Sequence, residues 1–221
     1  EVASSLAPTL RGLVSRNLPM LMQYEDSPEI MEFVNSNEAS TLSQIGPATP
    51  DHTLQTKIKP LWITLSNPSD FETSRTELQH SIDSYVNQYG SWYRSNTDGS
   101  HPMLDPFPRI ILARGIGMFS TGRDPVSALT AQDIYKHTID VIKSAQAIGN
   151  YTSLSDQSAF DVEYWPLELY KLTLASSDRE FSRRVVLVTG AGNGIGKSIA
   201  QCFAAEGASV AITDVNIGAA E

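Results

Sequence analysis

The residues best suited to chemistry stand near the C-terminal end, in Thr189-Gly190-Ala191-Gly192-Asn193-Gly194-Ile195-Gly196. Their spacing suits the binding of a dinucleotide. A pyrophosphate must approach the backbone at the positive end of a helix, where unpaired N–H groups point outward, and side chains there would block it. Gly190 permits the turn out of a strand, Gly194 the close approach of the phosphates, and Gly196 the packing of helix on strand. Asp214 lies 24 residues after Gly190 (214 − 190), near the place where such units present an acid to the adenosine ribose. A carboxylate accepts a hydrogen bond from a 2′-hydroxyl and repels a 2′-phosphate, so the acid favours NAD over NADP. A glycine-rich turn can also do no more than join a strand to a helix. Against that reading stand the strand, helix, second strand and terminal acid, all in the required order.

Those elements follow from hydrophobic period. Val185 to Val188 is short, apolar and β-branched, which predicts a parallel strand buried on both faces. Ile195, Ile199, Cys202 and Phe203 recur at helical spacing, so a helix is expected to lay this face on the sheet, with Cys202 in the core. Gly207 ends it, and Ser209 to Asp214 supplies the next parallel strand with a carboxylate at its tip.

A second locus lies in residues 42–62, dense in turn-formers and holding Asp51, His52, Thr53, Lys57 and Lys59. One reading is an anion or metal site, with His52 as ligand or proton carrier and Lys57 or Lys59 countering a phosphate. The other is a capped loop in which Asp51 and Thr49 bond the backbone and the lysines are solvated. His137, on a helical pattern beside Lys136 and Asp140, reads as structural, and His101 as exposed.

The rest of the chain reads as supporting elements. Residues 1–37 suggest helical pieces broken at Pro8, Pro19 and Pro28, with a short helix from Ser27-Pro28-Glu29 through Val34. Leu61 to Leu65 is strand-like, and Asp70 to Gly90 predicts a helix with Leu78, Ile82, Tyr85, Val86 and Tyr89 on one face. Residues 91–108 suit a surface loop, and Arg109 to Ala113 a buried strand followed by a turn from Arg114 to Gly122. Asp124-Pro125 starts a long helix that Gly149-Asn150 ends. Trp165 and Tyr170 are expected to close this portion by packing onto it, and the small polar run Ala175 to Glu180 marks a domain boundary.

Composition narrows the partners. The 221 residues are 41% hydrophobic and 19% charged, which suits a globular chain of one large or two modest domains. A net charge of −9 opposes nucleic acid and anionic membranes as partners. No apolar run reaches the ~20 residues of a membrane span. One cysteine excludes an internal disulfide framework and points to a reducing cytoplasm. Glu at position 1, and a helical pattern that begins at Asn216, give the expectation of a piece of a longer polypeptide.

The octet Thr189 to Gly196 resembles the TGxxxGIG signature of the short-chain dehydrogenase/reductase family, and Asp214 matches its NAD-selecting acid. That resemblance covers about the last 40 residues and implies the first βαβ of a Rossmann-type sheet, residues 182–221. The cofactor residues carried over are Thr189, Gly190, Gly192, Asn193, Gly194, Ile195, Gly196 and Asp214. The family's catalytic Asn, Ser and Tyr-x-x-x-Lys are expected beyond residue 221.

Three more segments matter: Gly46-Pro47-Ala48-Thr49-Pro50-Asp51-His52 with Thr56-Lys57; Pro108 to Leu112 running into Gly117 to Gly122; and Asp161-Val162-Glu163-Tyr164-Trp165-Pro166-Leu167-Glu168. In this order before a TGxxxGIG module they resemble the bifunctional rhamnulose-1-phosphate aldolase/short-chain dehydrogenase family. The resemblance implies that residues 1–178 are part of a class II aldolase/adducin-like α/β portion fused to a dehydrogenase. It implies cleavage of a deoxy-ketose 1-phosphate and NAD-linked conversion of a small aldehyde or alcohol, in a cytoplasmic homo-oligomer. A divalent metal, zinc by expectation, would be held by histidines upstream of residue 1. The segment Arg114 to Gly122 is read as a degenerate copy of the aldolase Asn-His-Gly turn, without its histidine and kept for packing. Two other readings stay open: an adducin-like scaffold with a nucleotide module, and a dehydrogenase with an unrelated N-terminal extension.

Overall fold

A computed structural model describes residues 2–174 and 177–220. The expected boundary from Ala175 to Glu180 therefore falls partly outside the described residues. The first portion is a four-stranded mixed sheet between helices. Its strands are β1 (Leu21–Glu25), β2 (Leu61–Ile63), β3 (Ile110–Ala113) and β4 (Gly117–Gly122), in the order β1-β4-β3-β2. β1 and β3 run antiparallel to β4, and β2 runs parallel to β3.

Strand alternation sorts the core into two layers. Ile111, Ala113 and Phe119 point to one face, where they meet Leu6, Leu10 and Val14 of helix α1 (Val2–Val14) and Leu78 and Ile82 of α5 (Phe71–Asn96). Ile110, Leu112 and Met118 point to the other, against α2 (Pro28–Asn35) and α6 (Pro125–Ile148), which contributes Ala131, Tyr135, Ile139 and Ile142. Asp124 caps α6 by a reciprocal box with Ser127, the Ser127 N–H donating to Asp124 Oδ1 at 2.7 Å. Between β1 and β2 lie the short α3 (Ala39–Leu42), a 3₁₀ turn at Pro50–His52 and α4 (Thr53–Thr56). The portion closes with α7 (Asp156–Glu163) and α8 (Pro166–Thr173).

Several expectations are corrected. α1 runs through Pro8, because its stripe of Leu6, Leu10 and Val14 is anchored in the core and outweighs the lost N–H. Residues 21–25 are a strand, which exists through its register with β4. Arg114 to Gly122 is no strand-to-helix turn. Ala113 pairs with Gly117 across Arg114-Gly115-Ile116, Gly115 takes φ 74°, and the remaining residues form the wholly buried β4. Trp165 and Tyr170 are half exposed, at 50% and 58%; Phe160 and Tyr164 are the aromatics buried there, their rings stacked 4.5 Å apart.

The second portion comprises β5 (Val185–Thr189), α9 (Gly194–Ala205), β6 (Ser209–Thr213) and the short α10 (Ile217–Ala220), with β5 and β6 parallel. Its buried cluster is Val188, Ala191 and Ala200, flanked by Val186 and Val210. The strand expected to be buried on both faces is covered on one, since Val185 and Leu187 are exposed. α9 also turns a different face inward than its apolar period suggests. Ala200 packs on the strands while Ile195 and Ile199 are exposed, and Cys202 is exposed rather than in the core. Two strands cover one narrow side of a helix, and small side chains allow the closest approach there.

Candidate functional site

The glycine turn is built by the backbone. Gly190 (φ 64°) takes the chain out of β5, and Gly194 (φ 56°) takes it into α9, a region of φ that costs other residues energy. A Cβ on Gly196 would lie 2.0 Å from the carbonyl oxygen of Gly190, so this position admits no side chain. The first bond of the helix runs from the Lys197 N–H to the Asn193 carbonyl oxygen, leaving the amides before it without helical partners. Outward amides at a helix N-terminus with no side chain in the way form a cradle that fits a pyrophosphate.

Asp214 follows β6 and leans back over this turn. Its Oδ2 accepts the Gly192 N–H at 2.9 Å and its Oδ1 accepts the Asn216 N–H at 2.9 Å. These backbone bonds, that of Asn216 foremost, hold the carboxyl below the usual range, so an anion stands beside the cradle. Thr189 pairs with Thr213, and the Ala191 N–H donates to the Thr213 carbonyl oxygen, which ties the turn to β6. The structure thus brings Thr189, Gly190, Gly192, Asn193, Gly194, Gly196 and Asp214 together; Ile195 is there too, with its side chain 81% exposed.

In the loop of residues 46–59 it is Lys57 that departs from both sequence readings. Lys57 is 5% exposed, neither solvated nor free for a phosphate. Its Nζ donates to Glu163 Oε1 and to the Tyr89 hydroxyl, both at 3.0 Å. The Tyr89 hydroxyl donates to the same Glu163 oxygen at 2.7 Å and lies 3.0 Å from that of Tyr164, which accepts the Leu104 N–H. Burial pushes the Lys57 ammonium below the usual lysine range, opposed by the Glu163 carboxylate, and burial beside Glu163 pushes the Tyr89 phenol up. Lys57 adopts φ 64°, ψ 170°, a costly conformation for a side-chain-bearing residue. The ion pair holds it there.

His52 ends the 3₁₀ turn, with its ring centroid 6.4 Å from that of His137 on α6. Its Nδ1 is buried and has no hydrogen-bond partner among the described residues. Burial first, then His137, lowers its pKa, against a smaller opposing effect of Asp51. Asp51 is exposed, and the backbone of this turn is held by other hydroxyls: Thr53 Oγ1 donates to the Pro50 carbonyl and Thr56 Oγ1 to that of His52. Lys59 lies 3.8 Å from Asp156 beside a cavity of about 130 Å³ that Gln44, Tyr85, Tyr89 and Trp92 also line. No group of three or more His, Cys, Asp or Glu side chains able to hold a metal occurs among the described residues. No metal ligand is therefore assigned.

No local spacing in the sequence joins Glu163, Tyr89 and Tyr164 to Lys57. One signal was present: an acid at position 163 shares a helical face with Ala159 and Phe160.

A mixed α/β portion is followed by a strand–glycine turn–helix–strand unit, and each matches a family of its own. Residues 1–172 match the class II aldolase second-domain family, and residues 184–221 match the short-chain dehydrogenase family. The chain belongs to the class II aldolase second-domain family, joined to a short-chain dehydrogenase segment in the fusion family that the sequence resembles. It is 39% identical over 223 aligned residues to the uncharacterized oxidoreductase YuxG of Bacillus subtilis (strain 168), covering 100% of this chain and 32% of YuxG. The chain thus spans about a third of that relative's length. Over 42 residues it is 50% identical to cyclohexanol dehydrogenase of Acinetobacter sp. (strain SE19), covering 19% of this chain and 17% of that protein. The crystal structure of YgbL from Klebsiella pneumoniae shares 14% identity at a TM-score of 0.49, over 72% of this chain and 64% of that one. Short-chain dehydrogenase domains use a nicotinamide cofactor and class II aldolases a divalent metal. No helix among the described residues is long and apolar enough to cross a membrane.

Proposed function

We propose that this chain forms part of a bifunctional sugar-catabolic enzyme that cleaves a deoxy-ketose 1-phosphate resembling rhamnulose 1-phosphate. The same enzyme passes hydride between NAD and a small aldehyde or alcohol. Residues 182–221 are the cofactor-binding part, and residues 1–178 belong to the aldolase portion. The observation that carries the cofactor half of this reading is the turn itself, with its positive-φ glycines at the start of α9 and the Asp214 carboxylate anchored beside them; the aldolase half is supported by the family match of residues 1–172. When bound, NAD supplies the hydride acceptor. The chain's own residues seat its pyrophosphate on the Gly190 to Gly196 turn and repel a 2′-phosphate through Asp214. The natural setting is the cytoplasm, in a homo-oligomer that uses a divalent metal in its aldolase chemistry.

Competition binding on the full-length protein tests the cofactor assignment. NAD should bind more tightly than NADP, and Asp214→Ala should erase most of the difference; equal affinities in the unaltered protein would overturn it.

A second reading applies to residues 46–59, where one observation favours packing over chemistry. Lys57, a candidate phosphate partner, is spent on a buried pair with Glu163. On this view the loop is an anchor between α5 and α7, and His52 packs its underside.

A further inference from the structure

Gly192 occupies a position that the TGxxxGIG pattern leaves open, yet the structure leaves no room for a side chain there. A Cβ on Gly192 would lie 2.9 Å from Ala219 Cβ, 3.0 Å from the Ala219 carbonyl carbon and 3.0 Å from Asp214 Oδ2. At 2.9 Å from Ala219 Cβ something must shift, and at 3.0 Å from Asp214 Oδ2 the carboxylate must give by a few tenths of an ångström, so a larger residue disturbs both the start of α10 and the acid. The same residue's N–H donates to Asp214 Oδ2 at 2.9 Å, while the Asn216 N–H holds Oδ1 at 2.9 Å.

An ionised carboxylate offers about four lone-pair sites, two on each oxygen. The two backbone donors take one from each, leaving one acceptor site per oxygen. That is the complement of a vicinal diol, whose two hydroxyls can each donate to a different oxygen. A phosphate ester on either hydroxyl removes one donor and adds an anion beside a fixed anion.

We infer that Gly192 is a specificity-determining positioning residue. Its N–H orients the Asp214 carboxylate as a paired acceptor for an unphosphorylated ribose diol, and its missing side chain lets Asp214 and Ala219 close over the turn. The inference rests on the reading of this turn as a dinucleotide site. It adds that discrimination against a 2′-phosphate depends on residue 192 as well as on the acid itself.

The test uses the full-length protein and direct binding of NAD and NADP, with the melting temperature recorded for each variant. Gly192→Ala should lower the NAD-over-NADP affinity ratio about tenfold, the scale of one charge-assisted hydrogen bond lost. In the Asp214→Ala background it should lower the ratio no further, because both changes act through one carboxylate. Ala219→Gly added to Gly192→Ala removes the shortest of the close contacts and should restore part of the ratio. If Gly192→Ala does not fold, Ala219→Val crowds the same gap from the opposite side and is read by the same ratio. A Gly192→Ala protein that keeps the full preference while Asp214→Ala loses it would overturn the role of Gly192 and leave the dinucleotide reading standing. Equal weakening of both cofactors would reduce Gly192 to a structural residue. An Asp214→Ala protein with unchanged preference would remove both proposals together.

Discussion

The two portions of the chain bury their residues in opposite ways. Residues 2–174 cover both faces of a four-stranded sheet, so β3 and β4 are buried at every position, and the buried Lys57 and Glu163 are paired with each other. Residues 185–220 cover one face of two strands, leave Leu187 65% and Ile195 81% exposed, and direct their polar backbone outward around a glycine turn. The first portion spends its polar chemistry on holding itself together. The second leaves its amides and a carboxylate available to a ligand, and its glycines make this possible by letting the backbone pack closely around the turn.

The contrast predicts where substitutions hurt most. Removing one partner of the Lys57–Glu163 pair leaves a buried charge unanswered, because both groups are almost wholly out of solvent. Glu163→Ala should cost about 3–5 kcal/mol in denaturant unfolding, whereas Lys57→Met combined with Glu163→Leu should recover most of the loss. A loss below about 1 kcal/mol in the single variant would show that water reaches the pair, and would weaken the picture of a sealed first portion.

A smaller effect separates the apolar residues of the two portions. Leu112 is fully buried between α2 and α6, so Leu112→Ala should cost about 2–5 kcal/mol. Leu187 has an equal side chain on a strand that reads just as apolar, yet Leu187→Ala should change the stability of this chain by no more than about 0.5 kcal/mol. Comparable losses at the two sites would mean that the exposed face of β5 is covered in solution.

How much of this was legible depended on the range of the interactions. The glycine turn is local: Gly190, Gly194 and Gly196 act within a few residues of themselves, and Asp214 reaches the turn through a register fixed by β5 and β6. The long helices were legible because caps and period sit within each element, as with Asp124 and the stripe from Ala131 to Ile142. β1 was not, because Leu21 to Glu25 becomes a strand through β4, almost a hundred residues later in the chain. The inward face of α9 departs from its apolar period for a related reason. Period identifies an apolar stripe, but what covers it depends on the neighbours, and here Ala200 meets them while Ile195 and Cys202 do not. Lys57 and Glu163 lie 106 residues apart, and no local spacing joins them.

The smallest expected effect concerns His52, on which the two readings of the loop at residues 46–59 divide. Burial and the facing His137 lower its pKa in the fold, so the unfolded chain takes up a proton at His52 before the folded chain does. Stability from this residue is therefore complete above the unfolded value of about 6.5 and declines as pH falls toward the lower folded value. His52→Gln should flatten that decline as pH falls below about 6.5 in a melting series, since glutamine fills similar space and does not titrate. If His52 serves packing alone, aldol cleavage by the full-length His52→Gln protein should fall less than about tenfold, and NAD binding should not change. A loss of ~10²-fold or more with an unaltered melting temperature would instead give His52 a proton-transfer role. That result would place chemistry in the first portion as well, and the division between a self-contained half and a ligand-facing half would no longer hold.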